Sequence, residues 1–201
     1  MKRVTTASIF VLGSLLGLTY PLKAERITCP RDKNLVAETR ETDLRLQLFL
    51  SKDGGRTFFQ ITKIKPWDPD FRKLSEEIGV RNISWSPDGK MILFEFRDSA
   101  PYPENPKTWS NTLGLILLRT RTCYWIAGTR LRSFTTAYNA RWIQRQIVAY
   151  TLFEITNPRV EGMENTSQRE VKITPQLLSK LPSNKHKNAK HLFEAYASFF
   201  F

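Results

Sequence analysis

Apolar and polar residues alternate with a period of two over several short stretches, a pattern typical of half-buried β-strands. The stretch from Leu44 to Leu50 alternates in this way, and Met91 to Phe96 is a mostly apolar run that suits a buried strand. Thr174 followed by Pro175 resembles a helix N-cap with proline at the first helical position. The sequence therefore predicts a mainly β fold with antiparallel sheets and a short C-terminal helical segment. Strands are predicted over residues 44–50, 56–62, 82–85, 91–96, 112–118, 123–126, 140–143, 146–153 and 170–173, and helical turns over 71–78 and 176–181.

The first 24 residues have the layout of a secretory signal peptide. Lys2 and Arg3 form a cationic start, residues 4–20 are uncharged and largely apolar, and Ala24 is a small residue before a charged sequence. The apolar stretch contains glycine, serine and threonine, and is shorter than the roughly 20 apolar residues of a spanning helix. We therefore expect cleavage after Ala24 and a periplasmic or secreted mature protein. An uncleaved membrane anchor is the alternative.

Cleavage would shorten the chain from 201 residues to 177, which suits one domain with a substantial core. We expect a β domain over residues 25–181 and a basic tail over 182–201 that ends in three phenylalanines. The formal net charge of +12 loses three positive charges with the leader, which leaves +9. Such a charge favours anionic partners such as phospholipid headgroups, acidic glycans or acidic proteins. No nucleic-acid partner is expected, because the cations are scattered along an exported chain.

The two cysteines, Cys29 and Cys123, both follow the expected cleavage site. An even number of cysteines in an oxidising compartment favours a disulfide, here Cys29–Cys123, and two reduced thiols are the alternative. His186 and His191 lie far from both cysteines and lack the spacing of metal ligands. We therefore predict no metal site and no cofactor.

Two segments carry tight-turn chemistry between predicted strands. One runs from Ser51 to Gly55 and the other from Ser86 to Lys90, and each contains an Asp-Gly pair that tolerates positive φ. The second segment closely resembles the "W-S-P-D-G-K" turn of TolB-type β-propeller repeats, which are related in architecture to WD repeats. The matching residues are Trp85, Ser86, Pro87, Asp88, Gly89 and Lys90.

The resemblance to TolB-type repeats implies blade-like β units. A degenerate second copy lies around Trp142 and the strand from Gln146 to Tyr150, without the Ser-Pro-Asp-Gly turn. A closed propeller needs about four or more blades, and this chain offers about two blade-like units. The resemblance therefore implies partial propeller-like sheets, in which open edges would allow self-association.

A second resemblance concerns the first turn. Ser51, Asp53, Gly55, Thr57 and Phe58 match the Asp-box hairpin "S-x-D-x-G-x-T-W", with phenylalanine in place of tryptophan. The resemblance implies a structural role, in which the aspartate caps backbone donors of the turn. Asp-boxes occur in sialidases, so a glycan-active enzyme or its degenerate remnant is an alternative hypothesis. For both turns, an ordinary hairpin turn is the alternative interpretation.

No nucleophile–base pair, metal-binding carboxylates or glycine-rich phosphate loop is present in the sequence, so no catalytic residue is predicted. The leading hypothesis is an exported binding or scaffold protein that engages a protein or an anionic envelope surface. Its candidate contacts are Tyr102, Lys107 and Trp109, in and beside a proline-rich loop. A truncated remnant without independent function is the remaining alternative.

Overall fold

The computed structural model describes residues 24–43, 45–65, 78–99, 109–128, 134–155, 164–181, 183–185 and 195–196. In these residues the protein is mainly β, with antiparallel sheets and one short helix, so the predicted fold class is confirmed. The strands are β1 (Arg26–Thr28), β2 (Val36–Thr42), β3 (Arg45–Ser51), β4 (Phe59–Gln60), β5 (Ile64–Lys65), β6 (Gly79–Trp85), β7 (Met91–Ser99), β8 (Trp109–Leu117), β9 (Thr122–Ala127), β10 (Phe134–Gln144), β11 (Ile147–Ile155), β12 (Glu164–Lys172), β13 (Ser183–Lys185) and β14 (Ala195–Tyr196). The helix α1 is Pro175–Leu178.

The strands form one large sheet and two smaller ones. The large sheet has the order β1-β2-β3-β6-β7-β8-β9-β13, and β4 also pairs with β3. Within it, β6 to β9 form a four-stranded antiparallel meander, which a single parallel bridge between Leu46 and Gly79 joins to β3. The strands β10, β11 and β12 form an antiparallel sheet, and β14 pairs with β5 in parallel.

The central strand β7 divides its side chains between two cores, as the two-residue period of a strand requires. Ile92 and Phe94 belong to one buried cluster, which also contains Leu48 of β3. Leu93 belongs to the other, together with Val148 of the three-stranded sheet. The three-stranded sheet therefore packs on one face of the meander, and the first core fills the opposite face.

The large sheet curls so that its first strand reaches β6. The indole Nε1 of Trp85 donates a hydrogen bond to the carbonyl oxygen of Ile27 at 3.3 Å. The strands β1 and β6 lie three places apart in the sheet order, so this contact requires strong curvature. Curvature encloses the first core, in which Trp85 is 8% exposed.

Four register shifts interrupt the regular pairing of the described strands, and two of them contain an asparagine with a positive φ angle. The register shifts between Arg81 and Ser84 in β6, and between Tyr138 and Arg141 in β10. Asn82 and Asn139 occupy these bulges with φ angles of 49° and 54°. Asparagine tolerates the left-handed conformation better than most residues, which explains its presence at both positions.

Glutamate side chains bind the backbone donors that the bulges release. Glu25 accepts hydrogen bonds from the N–H groups of Asn82 and Ile83, and Glu95 accepts one from the N–H of Ala140 at 2.9 Å. Glu95 also accepts from the side-chain Nδ2 of Asn82 at 2.8 Å. Since Ala140 lies in β10, Glu95 connects the two sheets.

Burial raises the pKa of the Glu95 carboxyl, and the hydrogen bonds from Ala140 and Asn82 oppose this shift. The charges of Arg97 and Arg81 act in the same direction as the hydrogen bonds and are smaller causes. The net direction is upward, because water is excluded from this carboxyl.

A strand is present at each predicted position, but several strands differ in length from the prediction and others were not predicted. The return strand expected over 56–62 is shorter, since β4 contains only Phe59 and Gln60. The polar segment over residues 25–43 contains β1 and β2, and part of the predicted tail forms β13 and β14. Thr174 caps α1 by accepting a hydrogen bond from the N–H of Leu177, as predicted. The helical turns expected over 71–78 lie outside the described residues except for position 78.

The Cys29–Cys123 disulfide is absent from the structure, in which both cysteines are free and buried. They belong to the same apolar cluster, where Cys29 directs its sulfur toward the carbonyl oxygen of Gly89 at 3.9 Å. Burial raises the pKa of the Cys123 thiol strongly, so this side chain behaves as a small apolar group. The sequence indicated the shared location of the two residues but not their chemical state.

Candidate anion-binding site

The W-S-P-D-G-K turn connects β6 to β7 and is closed by hydrogen bonds of its own residues. The N–H of Gly89 donates to the carbonyl oxygen of Ser86 at 2.8 Å. The Oγ of Ser86 accepts from the N–H groups of Lys90 and Met91, at 3.2 and 3.0 Å. Gly89 has a φ of 71°, and a Cβ at this position would lie 2.6 Å from the sulfur of Cys29. Both conditions favour glycine.

Asp88 links this turn to the turn between β10 and β11. Its Oδ1 accepts from the hydroxyl of Ser86 at 2.8 Å, and its Oδ2 lies 3.2 Å from the Nε of Arg145. Burial alone would raise the pKa of Asp88. The hydrogen bonds from Ser86, Lys90 and Arg145, with the positive charge of Arg145, outweigh burial and lower the pKa. Asp88 therefore stays ionised and holds Arg145 in place.

A pocket of about 310 Å³ opens beside this turn and is lined mainly by charged residues. Arg31 comes from the loop between β1 and β2, Lys90 from the W-S-P-D-G-K turn and Arg145 from the β10–β11 turn. Pro87 and Asp88 complete the lining. Three cations and one carboxylate give the pocket a formal charge of +2.

Two of the cations are anchored through one nitrogen each. The Nε of Arg31 donates to the carbonyl oxygen of Pro87 at 3.3 Å, and the Nε of Arg145 donates to Asp88. All three cationic side chains remain exposed to solvent, with Arg145 at 66%. One guanidinium group can donate two parallel hydrogen bonds to two oxygens of a carboxylate, phosphate or sulfate group. A side chain that is already held by another hydrogen bond loses less conformational entropy when it binds such a group. The pocket therefore has the composition of a site for a small anionic group.

The Asp-box-like turn is also formed as its motif implies. Asp53 accepts hydrogen bonds from the N–H of Arg56 at 3.0 Å and from the N–H and hydroxyl of Thr57. Ser51 donates to Asp53 at 2.6 Å and accepts from the N–H of Gly55 at 2.8 Å. These bonds occupy the backbone through Thr57, which explains why the return strand begins later than predicted. The pKa of Asp53 is lowered by its hydrogen bonds, that from Ser51 first.

Phe58 of the same motif stacks against cations on the outer face of the sheet. The guanidinium of Arg40 lies 3.9 Å from the ring centroid of Phe58, and that of Arg26 lies 5.4 Å away. Glu38 lies within 3.0 Å of Arg40 and 3.4 Å of Arg26. Glu38 therefore partly neutralises the two arginines. We interpret the cation–π contacts and ion pairs on this face as stabilising interactions of the fold.

None of the described residues that line this pocket is a predicted partner contact. Tyr102 and Lys107 lie outside the described residues, and Trp109 begins β8 opposite Ser99. Sequence reasoning missed Arg31 and Arg145, because isolated arginines in turns carry no motif. The sequence offered one indirect signal: the β10–β11 turn lies in the segment that was predicted to be a degenerate copy of the turn motif.

Comparisons of the chain with protein-family models, with curated proteins and with solved structures found no match. In the described ranges, no group of three or more histidine, cysteine, aspartate or glutamate side chains could hold a metal ion. None of the helical residues that the structure describes form a helix long and apolar enough to cross a membrane. The case for a function therefore rests on the pocket and on the turn motifs.

Proposed function

We propose that this is an exported binding protein with partial TolB-like sheets, whose basic pocket docks on an anionic envelope surface. The observation that carries the proposal is the convergence of Arg31, Lys90 and Arg145 from three separate turns. The expected signal peptide supports a role outside the cytoplasm, and the mature charge of +9 favours an anionic partner. The W-S-P-D-G-K turn between the first two strands of a four-stranded meander supports the TolB-like architecture.

An anionic phospholipid surface is the partner that this chemistry fits best. Phosphate oxygens match the paired nitrogens of two anchored arginines, and the ammonium of Lys90 adds a third point of positive charge. Each basic residue near an anionic membrane contributes about 1 kcal/mol. Removing two of the three cations should therefore weaken binding by roughly 30-fold.

Vesicle sedimentation tests the proposal directly. The variant Arg31→Gln/Lys90→Gln keeps the Arg145–Asp88 pair, and it should bind phosphatidylglycerol vesicles about 30-fold more weakly than the unchanged protein. The matched control Arg56→Gln/Arg119→Gln removes two exposed cations elsewhere and should bind nearly as the unchanged protein does. The unchanged protein and both double variants should fail to bind vesicles of pure phosphatidylcholine.

Two results would overturn the proposal. Equal weakening by both double variants would mean that the overall charge, and not the pocket, attracts the membrane. Absence of binding to phosphatidylglycerol at low salt would exclude a lipid surface and leave an acidic protein as the partner to seek. Addition of inorganic phosphate distinguishes the source of the anion, because a site for free phosphate would be saturated by it at low concentration.

A further inference from the structure

Asp88 gives the basic pocket a hydrogen-bond acceptor beside its three cations. In the part of the chain that the structure describes, Oδ1 accepts from the hydroxyl of Ser86 at 2.8 Å and from the N–H of Lys90 at 3.2 Å. The same part of the chain offers Oδ2 a single donor, the Nε of Arg145 at 3.2 Å. A carboxylate has about four lone-pair positions, about two on each oxygen, so Oδ2 keeps one for a molecule in the pocket.

The pocket is larger than the anionic group that its cations would hold. Its volume is about 310 Å³, and a water molecule takes up about 30 Å³ in the liquid, so the pocket has room for roughly ten groups of that size. A phosphate group alone would fill about half of this space. A ligand that fills the pocket therefore carries further atoms next to its phosphate.

The charge of the pocket decides which kind of donor can pair with Asp88. A donor attached to a phosphate group can be a neutral hydroxyl, as in glycerol phosphate, or a cationic ammonium, as in phosphoethanolamine. The three cations leave the pocket with a formal charge of +2 after Asp88 is counted. They would repel a ligand ammonium, whereas a hydroxyl carries no charge. The pocket therefore favours a phosphate group with a neighbouring hydroxyl.

We propose that the pocket recognises the glycerol phosphate headgroup of a phospholipid and that Asp88 determines this specificity. The phosphate oxygens accept from the terminal nitrogens of Arg31 and Arg145, whose Nε atoms are already held by the β6–β7 turn. A headgroup hydroxyl donates to Oδ2 of Asp88, and phosphatidylglycerol carries both groups on one headgroup. The inference rests on the proposed function, because it names the lipid that the same pocket selects.

Two lipids of equal charge separate recognition of the hydroxyl from attraction by charge. Phosphatidylglycerol and phosphatidylpropanol both carry a singly charged phosphodiester, and of the two headgroups that of phosphatidylglycerol alone has hydroxyls. Each lipid is mixed at the same mole fraction with phosphatidylcholine, and binding of the unchanged protein is measured by vesicle sedimentation. Binding to phosphatidylglycerol should be about fivefold tighter, since one hydrogen bond to a carboxylate distinguishes the two lipids.

The two proposals fail in different ways in this experiment. Equal binding to the two lipids would overturn the specificity for glycerol phosphate and leave docking on an anionic surface standing. Absence of binding to both lipids would overturn docking on a lipid surface and the specificity with it. The comparison uses the unchanged protein, so its result does not depend on whether a variant folds.

Asp88→Asn tests the residue that carries the preference. Its amide keeps one oxygen for the donors of the turn and places a donor where Oδ2 was, so the headgroup hydroxyl loses its acceptor. The variant should bind the two lipids with equal affinity. The matched control Asp32→Asn changes an exposed carboxylate in the loop that carries Arg31, and it should keep the fivefold preference. A preference that persists in Asp88→Asn would overturn the assignment of Asp88.

Discussion

Glu95 is the buried carboxylate between the two sheets, and two substitutions separate its hydrogen bonds from its charge. Glutamine has the same shape, so its Oε1 keeps an acceptor for the N–H of Ala140. Its amide group can pair with Asn82 once the side-chain amide of Asn82 turns over. Leucine fills a similar volume but offers no acceptor. Glu95→Gln therefore keeps the hydrogen bonds to Ala140 and Asn82 without the charge, whereas Glu95→Leu removes both the hydrogen bonds and the charge.

The expected magnitudes follow from burial. Glu95 is 1% exposed and its pKa is raised from 4.5, so the folded protein binds the proton more tightly than the unfolded chain. The stability contributed by the protonated group is present below pH 4.5 and is lost as the pH rises through the folded pKa. At pH 8, Glu95→Gln should be as stable as the unchanged protein or more stable. Glu95→Leu should lose about 2 kcal/mol, because the part-buried donors of Ala140 and Asn82 lose their acceptor.

Urea unfolding at pH 5 and pH 8 measures these differences as free energies of unfolding. The unchanged protein should lose stability relative to Glu95→Gln between the two pH values. Glu170→Gln, an exposed change in β12, is the control and should follow the unchanged protein. If Glu95→Gln were as unstable as Glu95→Leu at pH 8, the negative charge beside Arg81 and Arg97 would be the stabilising element. That result would refute the reasoning from desolvation.

Three further predictions address packing, acid stability and the thiols. Gly114→Ala places a methyl group in the ring of Phe94, so the free energy of unfolding should fall by about 1–3 kcal/mol in urea titrations; an unchanged value would show that the ring can move aside. The lowered pKa of Asp53 adds stability that is present above pH 3.8 and lost as the pH falls below it. Asp53→Ala should therefore flatten the acid side of a plot of thermal midpoint against pH, and an unaltered acid side would contradict this. Ellman's reagent should detect two thiols per chain, Cys29 and Cys123, after denaturation and react slowly before it; absence of thiols in denatured protein would restore the disulfide.

Local patterns predicted most strands, because the side chains of a strand point alternately to its two faces and the burial of each face is visible in the sequence. In β7, Ile92 and Phe94 enter one core and Leu93 enters the other, so an unbroken apolar run is the expected sequence. The bulges were not predictable in the same way. Asn82 and Asn139 interrupt strands without glycine or proline, and their partners Glu25 and Glu95 are distant in sequence.

The candidate pocket likewise combines residues that a local motif identified with residues that only the tertiary structure brings together. The turn that contributes Lys90 and Asp88 was identified from its motif, because Ser-x-Asp-Gly bonding is local. Arg31 and Arg145 join it only through the curl of the large sheet and the packing of the three-stranded sheet. Contacts between residues that are 56 and 57 positions apart depend on tertiary structure, and no local pattern encodes them.

The two Ser-x-Asp turns provide a last prediction, since the same bonding occurs in different surroundings. Ser86 and Ser51 are both fully buried, and each donates to the aspartate two residues later. Ser86→Ala leaves the buried N–H of Met91 without its hydroxyl acceptor, which should cost about 2 kcal/mol in urea unfolding. Ser51→Ala should cost less, because its main acceptor bond serves the partly buried N–H of Gly55.

The vesicle assay then separates the two turns by function. Ser86→Ala removes a hydrogen bond that holds Asp88, and Asp88 in turn orients Arg145 at the pocket. Ser86→Ala should therefore weaken binding to phosphatidylglycerol vesicles at a temperature where both variants are fully folded, and Ser51→Ala should not. Equal binding by the two variants would mean that the pocket does not depend on the geometry of its turn. A larger stability loss in Ser51→Ala would contradict the ranking by burial.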